Sequence, residues 1–329
     1  MNDSAASRWP AWLLPVGVAA ALALLPLAVT PYQQDLAVKI MVFAIFALSL
    51  ELLVGMTGLV SLGHAAFFGI GAYATVMASP EYDAGQIARL LPLAMASAAA
   101  YALLVGALSL RTKGVYFIMV TLAFAQMAYF VFHDTKFGRG SDGIFLNVRP
   151  VLDVAGMTLL DLGNKRHLFY LTLVCLVLTY AFLALLRRSR FGHALAGIRV
   201  NEQRMRAVGF RTYGYKLAAF TLAGALAGLA GFLLAAKDAA VNPELLGWHE
   251  SGAVLLMIIL GGLGHLRGAV LGALAFTMLR EWLQSSAVVG PLADHWQLTL
   301  GLTIIAFVAL LPKGLIGIGA LLQRRKVSS

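Results

Sequence analysis

Long apolar runs separated by short polar breaks dominate the chain. The runs cover 11–29, 36–55, 58–79, 89–110, 114–133, 167–186, 215–236, 250–262, 266–285 and 297–312. A helix of roughly 20 residues rising about 1.5 Å per residue matches the roughly 30 Å hydrocarbon core of a bilayer. The pattern predicts an all-α polytopic membrane protein of about 8–10 transmembrane helices. The run 250–262 is short for a crossing and reads as a broken or re-entrant segment. The runs 36–55 and 58–79 are expected to reverse at Gly55-Met56-Thr57-Gly58, where glycine permits a tight turn. The first run follows Arg8. A signal peptide with a poor cleavage site at Ala28-Val29-Thr30 is the competing reading of it.

Composition supports lipid as the surrounding solvent. The 329 residues are 60% hydrophobic and 12% charged, with a mean hydropathy of +0.83. Soluble domains carry about 25% charged residues, so too little charge is present to coat a water-facing surface. The net charge of +10 would suit nucleic acid in a soluble protein. Here its placement sets orientation instead, and no nucleic-acid partner is expected. If the N-terminus is inside and each run crosses once, most Lys and Arg fall on the inner side, as the positive-inside rule requires. Both termini and the short basic tail 313–329 are then cytoplasmic. The whole of 1–329 reads as one transmembrane domain. Loop 134–166 is external and polar, and loop 187–214 is cytoplasmic and basic. Cys175 is the single cysteine, so the chain has no intrachain disulfide or cysteine cluster.

Catalytic signatures are missing. No Lys is followed by Ser or Thr, so no phosphate-binding G-x-x-x-x-G-K-[ST] loop exists; H-E-x-x-H and G-x-S-x-G are absent too. The chain reads as a non-enzyme without cofactor, and any ATP that powers it must bind elsewhere. His64 and His265 lack acid or cysteine companions, so no metal site is expected.

Within the basic loop, Asn201 suits a helix N-cap and Glu202 the positive end of a helix. Residues 202–208 then form two turns, with Met205 and Val208 on one face. Gly209 is the stop, where left-handed backbone is accessible. Such a helix can plug a groove in another protein. A basic loop held by anionic lipid headgroups is the other reading.

The stretch Ser189-Arg190-Phe191-Gly192 through Gly197-Ile198-Arg199-Val200-Asn201-Glu202 and Gly209 resembles the cytoplasmic coupling loop of ABC importer permeases in the branched-chain amino acid family, the M-type subunit above all. There the pattern is roughly S-x-x-G-x-x-x-x-A-I-R-x-N-E, a short helix and a glycine. Gly197 replaces the common Ala, and the acid of the broader importer motif falls at Gln203, with Glu202 one position earlier. Further matching stretches are Gly58–Tyr73, Arg111–Phe117, Gly138–Gly143, Gly261–Gly268 and Leu311–Leu315. Together they run from about residue 36 to 318. Glu51 stands where the family usually has Asn.

The resemblance implies the permease subunit of an ATP-driven importer of branched-chain or related amino acids in a bacterial inner membrane. It implies a second homologous permease, two cytoplasmic ATPase subunits and a periplasmic solute-binding protein as partners, with membrane lipid around them. Gly192, Arg199, Asn201, Glu202, Met205, Val208 and Gly209 are the expected ATPase-coupling residues. Ser61, His64 and Gln126 are candidates for lining the path, with Gln126 facing the bundle interior. Glu51 is expected about one turn from the cytoplasmic end, reaching water or an ion-pair partner. Glu281 and Gln284 are further polar candidates. The small residues Gly63, Gly69 and Gly71 favour close helix packing. Leu-Gly-His recurs at 62–64 and 263–265, a trace of repetition or chance. A stand-alone secondary transporter or channel remains the alternative, and it would need buried ionisable groups or a filter.

Overall fold

A computed structural model describes Pro26 and residues 30–154, 157–285, 290, 295–311 and 314–317. The expected first span 11–29, apart from Pro26, and the basic tail, apart from 314–317, lie outside the described residues.

The central element is α1 (Pro31–Thr57). Thr30 caps it, accepting the Gln33 N–H while the Gln33 side chain accepts the Thr30 N–H at 3.0 Å. Its 27 residues are apolar on every side and buried from Met41 to Thr57, which places it inside the bundle and not at its rim. It ends at Gly58, whose φ is 74°, and Leu59 N–H returns to the Leu53 carbonyl at 3.2 Å. The helix therefore runs through Gly55, Met56 and Thr57. The reversal falls after Gly58, over residues 59–63, and not at the expected Gly55–Gly58.

The next element, α2 (His64–Ala78), has only 15 residues and is shorter than the run 58–79 suggested. It is followed by α3 (Ile87–Ser109), α4 (Val115–Asp134) and α5 (Lys165–Arg188). Two short helices, α6 (Arg190–Val200) and α7 (Glu202–Ala207), lead to α8 (Thr212–Asp238). Then come α9 (Trp248–Gly261), α10 (Leu266–Gln284) and α11 (Trp296–Leu310). Among the described residues five helices are long and apolar enough to cross a bilayer, namely α1, α3, α4, α5 and α8. The α9–α10 pair, bent by 116°, is long and apolar enough only when taken together, as a broken span or a re-entrant loop. The short run 250–262 is thus the first limb of a sharply bent helix pair, as a broken or re-entrant segment would be. The bend sits on Gly262 and Gly264, with φ of 113° and 84°, angles that cost a side-chain-bearing residue heavily. The protein is an all-α polytopic membrane protein.

Small residues let α8 close on α1, α2 and α3. A Cβ at Gly231 would stand 2.1 Å from the Phe68 carbonyl oxygen, and one at Gly71 would stand 2.5 Å from Gly228 Cα. Gly71 therefore belongs to a packing seam, as its composition suggested. Gly63 likewise faces the Thr121 carbonyl of α4.

One end of the bundle carries α6, α7 and the Gly58 reversal. The opposite end carries the segment 135–164. Its described residues form more than a polar loop: β1 (Ile144–Phe145) pairs antiparallel with β4 (Ala240–Val241), and β2 (Val151–Val154) pairs antiparallel with β3 (Met157–Asp161). Ion pairs Lys237–Asp35 at 3.1 Å and Lys39–Glu281 at 3.4 Å tie helix ends together there.

Candidate functional site

The basic segment is more helical than the sequence suggested, and its shape follows from local caps. Ser189 closes α5 and opens α6, its Oγ accepting the Gly192 N–H at 3.2 Å. The chain doubles back so sharply that a Cβ at Gly192 would lie 2.2 Å from the Leu186 carbonyl oxygen. Ala194, Leu195 and Ile198 form the buried face of α6. Asn201 then caps α7, with its Oδ1 accepting the Arg204 N–H at 2.9 Å. Gly209, at φ 93°, ends the turn, and Phe210 N–H returns to the Met205 carbonyl at 3.0 Å. Tyr215 of α8 stacks on Phe191 and also meets Phe210, which clamps the segment to the bundle.

Two charged side chains anchor this segment to α8 and α1. Glu202 accepts from Arg206 at 2.5 Å, from Thr212 at 3.1 Å and from the buried Lys216 at 3.0 Å. Partial burial pushes its carboxyl pKa up, but Lys216, Arg206 and Thr212 together outweigh that and hold it below the usual carboxylate value. Arg199 donates through Nη1 to the Gly55 carbonyl of α1, and its stem lies along Gly58.

Around Arg199 lies a polar node that links several elements. Glu51 is 2% exposed, so of the two roles expected for it, reaching water or an ion-pair partner, the structure removes the first. Its carboxylate lies over Gly55, where a Cβ would meet Oε1 at 2.0 Å. Arg199 and Arg187 act on it electrostatically, and the backbone amides of Gly264 and His265 face it. Arg187 Nη1 also donates to the Gly264 carbonyl at 3.2 Å. The last turns of α1, α5 and α6 thus meet at the bend between α9 and α10. Sequence reasoning missed this junction; the Leu263-Gly264-His265 repeat was its only trace.

On α7 the predicted pair separates. Met205 turns inward, and a Cβ at Gly197 would touch its Sδ at 2.8 Å. Val208 is 71% exposed. Gln203, Arg204, Ala207 and Gly209 are exposed as well.

The three residues proposed for a path are not assembled into one. Ser61 is buried and accepts the Gly63 N–H at 3.2 Å. His64 is buried, with Nε2 at 2.8 Å from Ser49 Oγ and its ring stacked on Phe46. Gln126 stands half-buried on α4, and among the described residues no hydrogen bond joins it to either. Glu281 is taken up by Tyr32 at 2.7 Å and Lys39.

The sequence profile described as the permease component of the branched-chain amino acid transport system matches residues 33–308. The chain belongs to that permease family. The permease is 30% identical over 310 residues to the high-affinity branched-chain amino acid transport system permease protein LivM of Escherichia coli K12. That alignment covers 88% of the permease and 71% of the relative. The Salmonella typhimurium LT2 protein of the same description is 29% identical over the same shares. A probable LivH permease of Methanocaldococcus jannaschii is 29% identical over 160 residues, 47% of the permease and 50% of the relative. No solved structure matches the chain.

Proposed function

We propose that this permease imports branched-chain or related amino acids across a bacterial inner membrane, driven by ATPase subunits on separate chains. A second, homologous permease completes the path, two ATPases dock beneath the basic segment, and a periplasmic binding protein delivers the solute. The segment from Arg187 to Gly214 and both termini then face the cytoplasm, and the Lys and Arg bias supports that orientation. Loop 134–166 faces the binding protein.

The observation that carries this reading is the build of α7. Its inner side is anchored by Glu202 and Lys216, while Val208 and its neighbours are left open at the surface. A helix rigidly tied to the bundle yet exposed on one side is suited to receive force from a partner. Arg199 and Arg187 carry that displacement to α1 and to the α9–α10 bend. A lipid-anchored loop needs no such rigid mount.

Val208→Glu tests the docking face, because Val208 is exposed and the fold should tolerate the change. ATPase recovered with the solubilised permease is expected to fall at least tenfold, with ATP-driven leucine uptake into proteoliposomes falling in parallel. Uptake that persists without any ATPase would instead identify a stand-alone transporter.

A further inference from the structure

At the end of the bundle opposite the basic segment, a cavity of about 360 Å³ opens between the last turn of α2 and the chain around β1. That volume lies at the small end of the roughly 300–1,000 Å³ typical of small-molecule sites. One wall is apolar, built from Val76, Met77, Phe145 and Leu146, and the rim holds Glu81 and Arg139. We propose that this cavity receives the zwitterion of an aliphatic amino acid, with Arg139 taking the carboxylate, Glu81 the ammonium, and the apolar wall the side chain. The proposal rests on the importer reading above and adds a place for the solute on this chain.

Three observations support it. Arg139 Nη2 and Glu81 Oε1 stand 3.7 Å apart, beyond the roughly 2.7–2.9 Å of a charge-assisted hydrogen bond. Both groups keep donors and acceptors available to a third. Arg139 also holds left-handed backbone, φ 59°, between Gly138 and Gly140. Glycine adopts that geometry without strain, and an exposed ion pair is too weak to repay it; the arginine side chain at this position serves something other than the loop's own stability. Finally, the loop is fixed. A Cβ at Gly138 would lie 1.9 Å from the Phe132 carbonyl oxygen and one at Gly143 would lie 2.1 Å from that of Val241. On the facing side the Asn147 side chain donates to the Glu81 carbonyl at 3.2 Å. The charges are therefore presented from two clamped backbones, with exposed Met77 and Phe145 beside them.

The test uses photo-leucine, the diazirine analogue of leucine, on the assembled transporter in proteoliposomes. Photolysis is expected to label Met77, Phe145 or Leu146. Excess leucine should remove the label, whereas leucinamide, which lacks the carboxylate, and isocaproate, which lacks the ammonium, should not. Arg139→Gln should lower labelling roughly tenfold, the loss of one charge-assisted contact. The charge swap Glu81→Arg with Arg139→Glu should not restore it, because the solute's side chain would then leave the apolar wall. Labelling only outside the cavity, competition by leucinamide equal to leucine, or rescue by the swap, as a purely structural ion pair would give, overturns the subsite. So does a loss of binding-protein docking in Arg139→Gln with labelling unchanged, which would make the cavity a protein-docking groove. Uptake in the same vesicles separates the two readings. Labelling without ATP-driven uptake keeps the subsite and removes the importer; uptake without labelling does the reverse.

Discussion

At the residue scale, Glu202 bears the largest burden in the basic segment. Lys216 is buried, and Glu202 is the acid paired with it among the described residues. Removing one partner of a buried pair costs about 3–5 kcal/mol, and the partial exposure of Glu202 reduces this to about 2 kcal/mol. Glu202→Gln is therefore expected to loosen α7 and raise amide exchange in residues 202–210, measured by hydrogen–deuterium exchange in detergent. Acid should act in the same direction. The folded carboxyl sits below its unfolded value, so its stabilisation is present above the ordinary carboxylate range and is lost as pH falls through the depressed folded value. Protection of α7 amides, taken relative to their intrinsic exchange rate at each pH, should then fall only below the usual carboxylate pKa; protection that stays unchanged through that range and beyond would remove Glu202 as the anchor. Asn201 and Gly209 were legible in the sequence because capping and left-handed turns are local chemistry. The burial of Glu51 was not, because it is set by Arg199, Arg187 and the amides of Gly264 and His265, which come from distant parts of the chain.

At the scale of elements, glycine decides which helices touch. Gly231 of α8 lies against the Phe68 carbonyl of α2, and backbone there has no side chain to move aside. Gly231→Val is expected to cost at least the roughly 1–3 kcal/mol of ordinary overpacking. Reduced yield and a lower melting temperature of the purified protein would register it, whereas Gly252→Ala, with open space at its Cβ, should change neither. The long apolar runs located α1, α3, α4, α5 and α8 well, since each buries or exposes whole turns of apolar residues to bundle and lipid. α6 was unreadable as a helix. Its Gly192 and Gly197 lower helical propensity, and tertiary contact through Leu195 and Ile198 outweighs that. The β2–β3 pairing escaped notice because its strands are short and most of β3 is exposed, with no alternation to mark them.

For the whole molecule, the two ends of the bundle carry different chemistry: an arginine-rich mount at one, a charge-rimmed apolar cavity at the other. The bent α9–α10 pair spans between them, touching the mount through Gly264 and the opposite end through Glu281. Arg199 and Arg187 join the basic segment to α1 and to this pair, the route that the proposed coupling would take. Arg187→Gln should leave ATPase docking intact while uptake per ATP hydrolysed falls severalfold, since it removes the contact to the bend and leaves Val208 and the exposed residues of α7 unchanged. Equal loss of docking and uptake would place Arg187 in the docking surface instead.

The central claim is that the exposed side of α7 meets the ATPase. Cysteine cross-linking tests it most directly, in a Cys175→Ala background with Val208→Cys in the assembled complex. The account predicts a cross-link from position 208 to an ATPase subunit and none from Tyr82→Cys, which is 88% exposed at the opposite end. A cross-link from position 82, or an intact, transporting complex with none from 208, would contradict it.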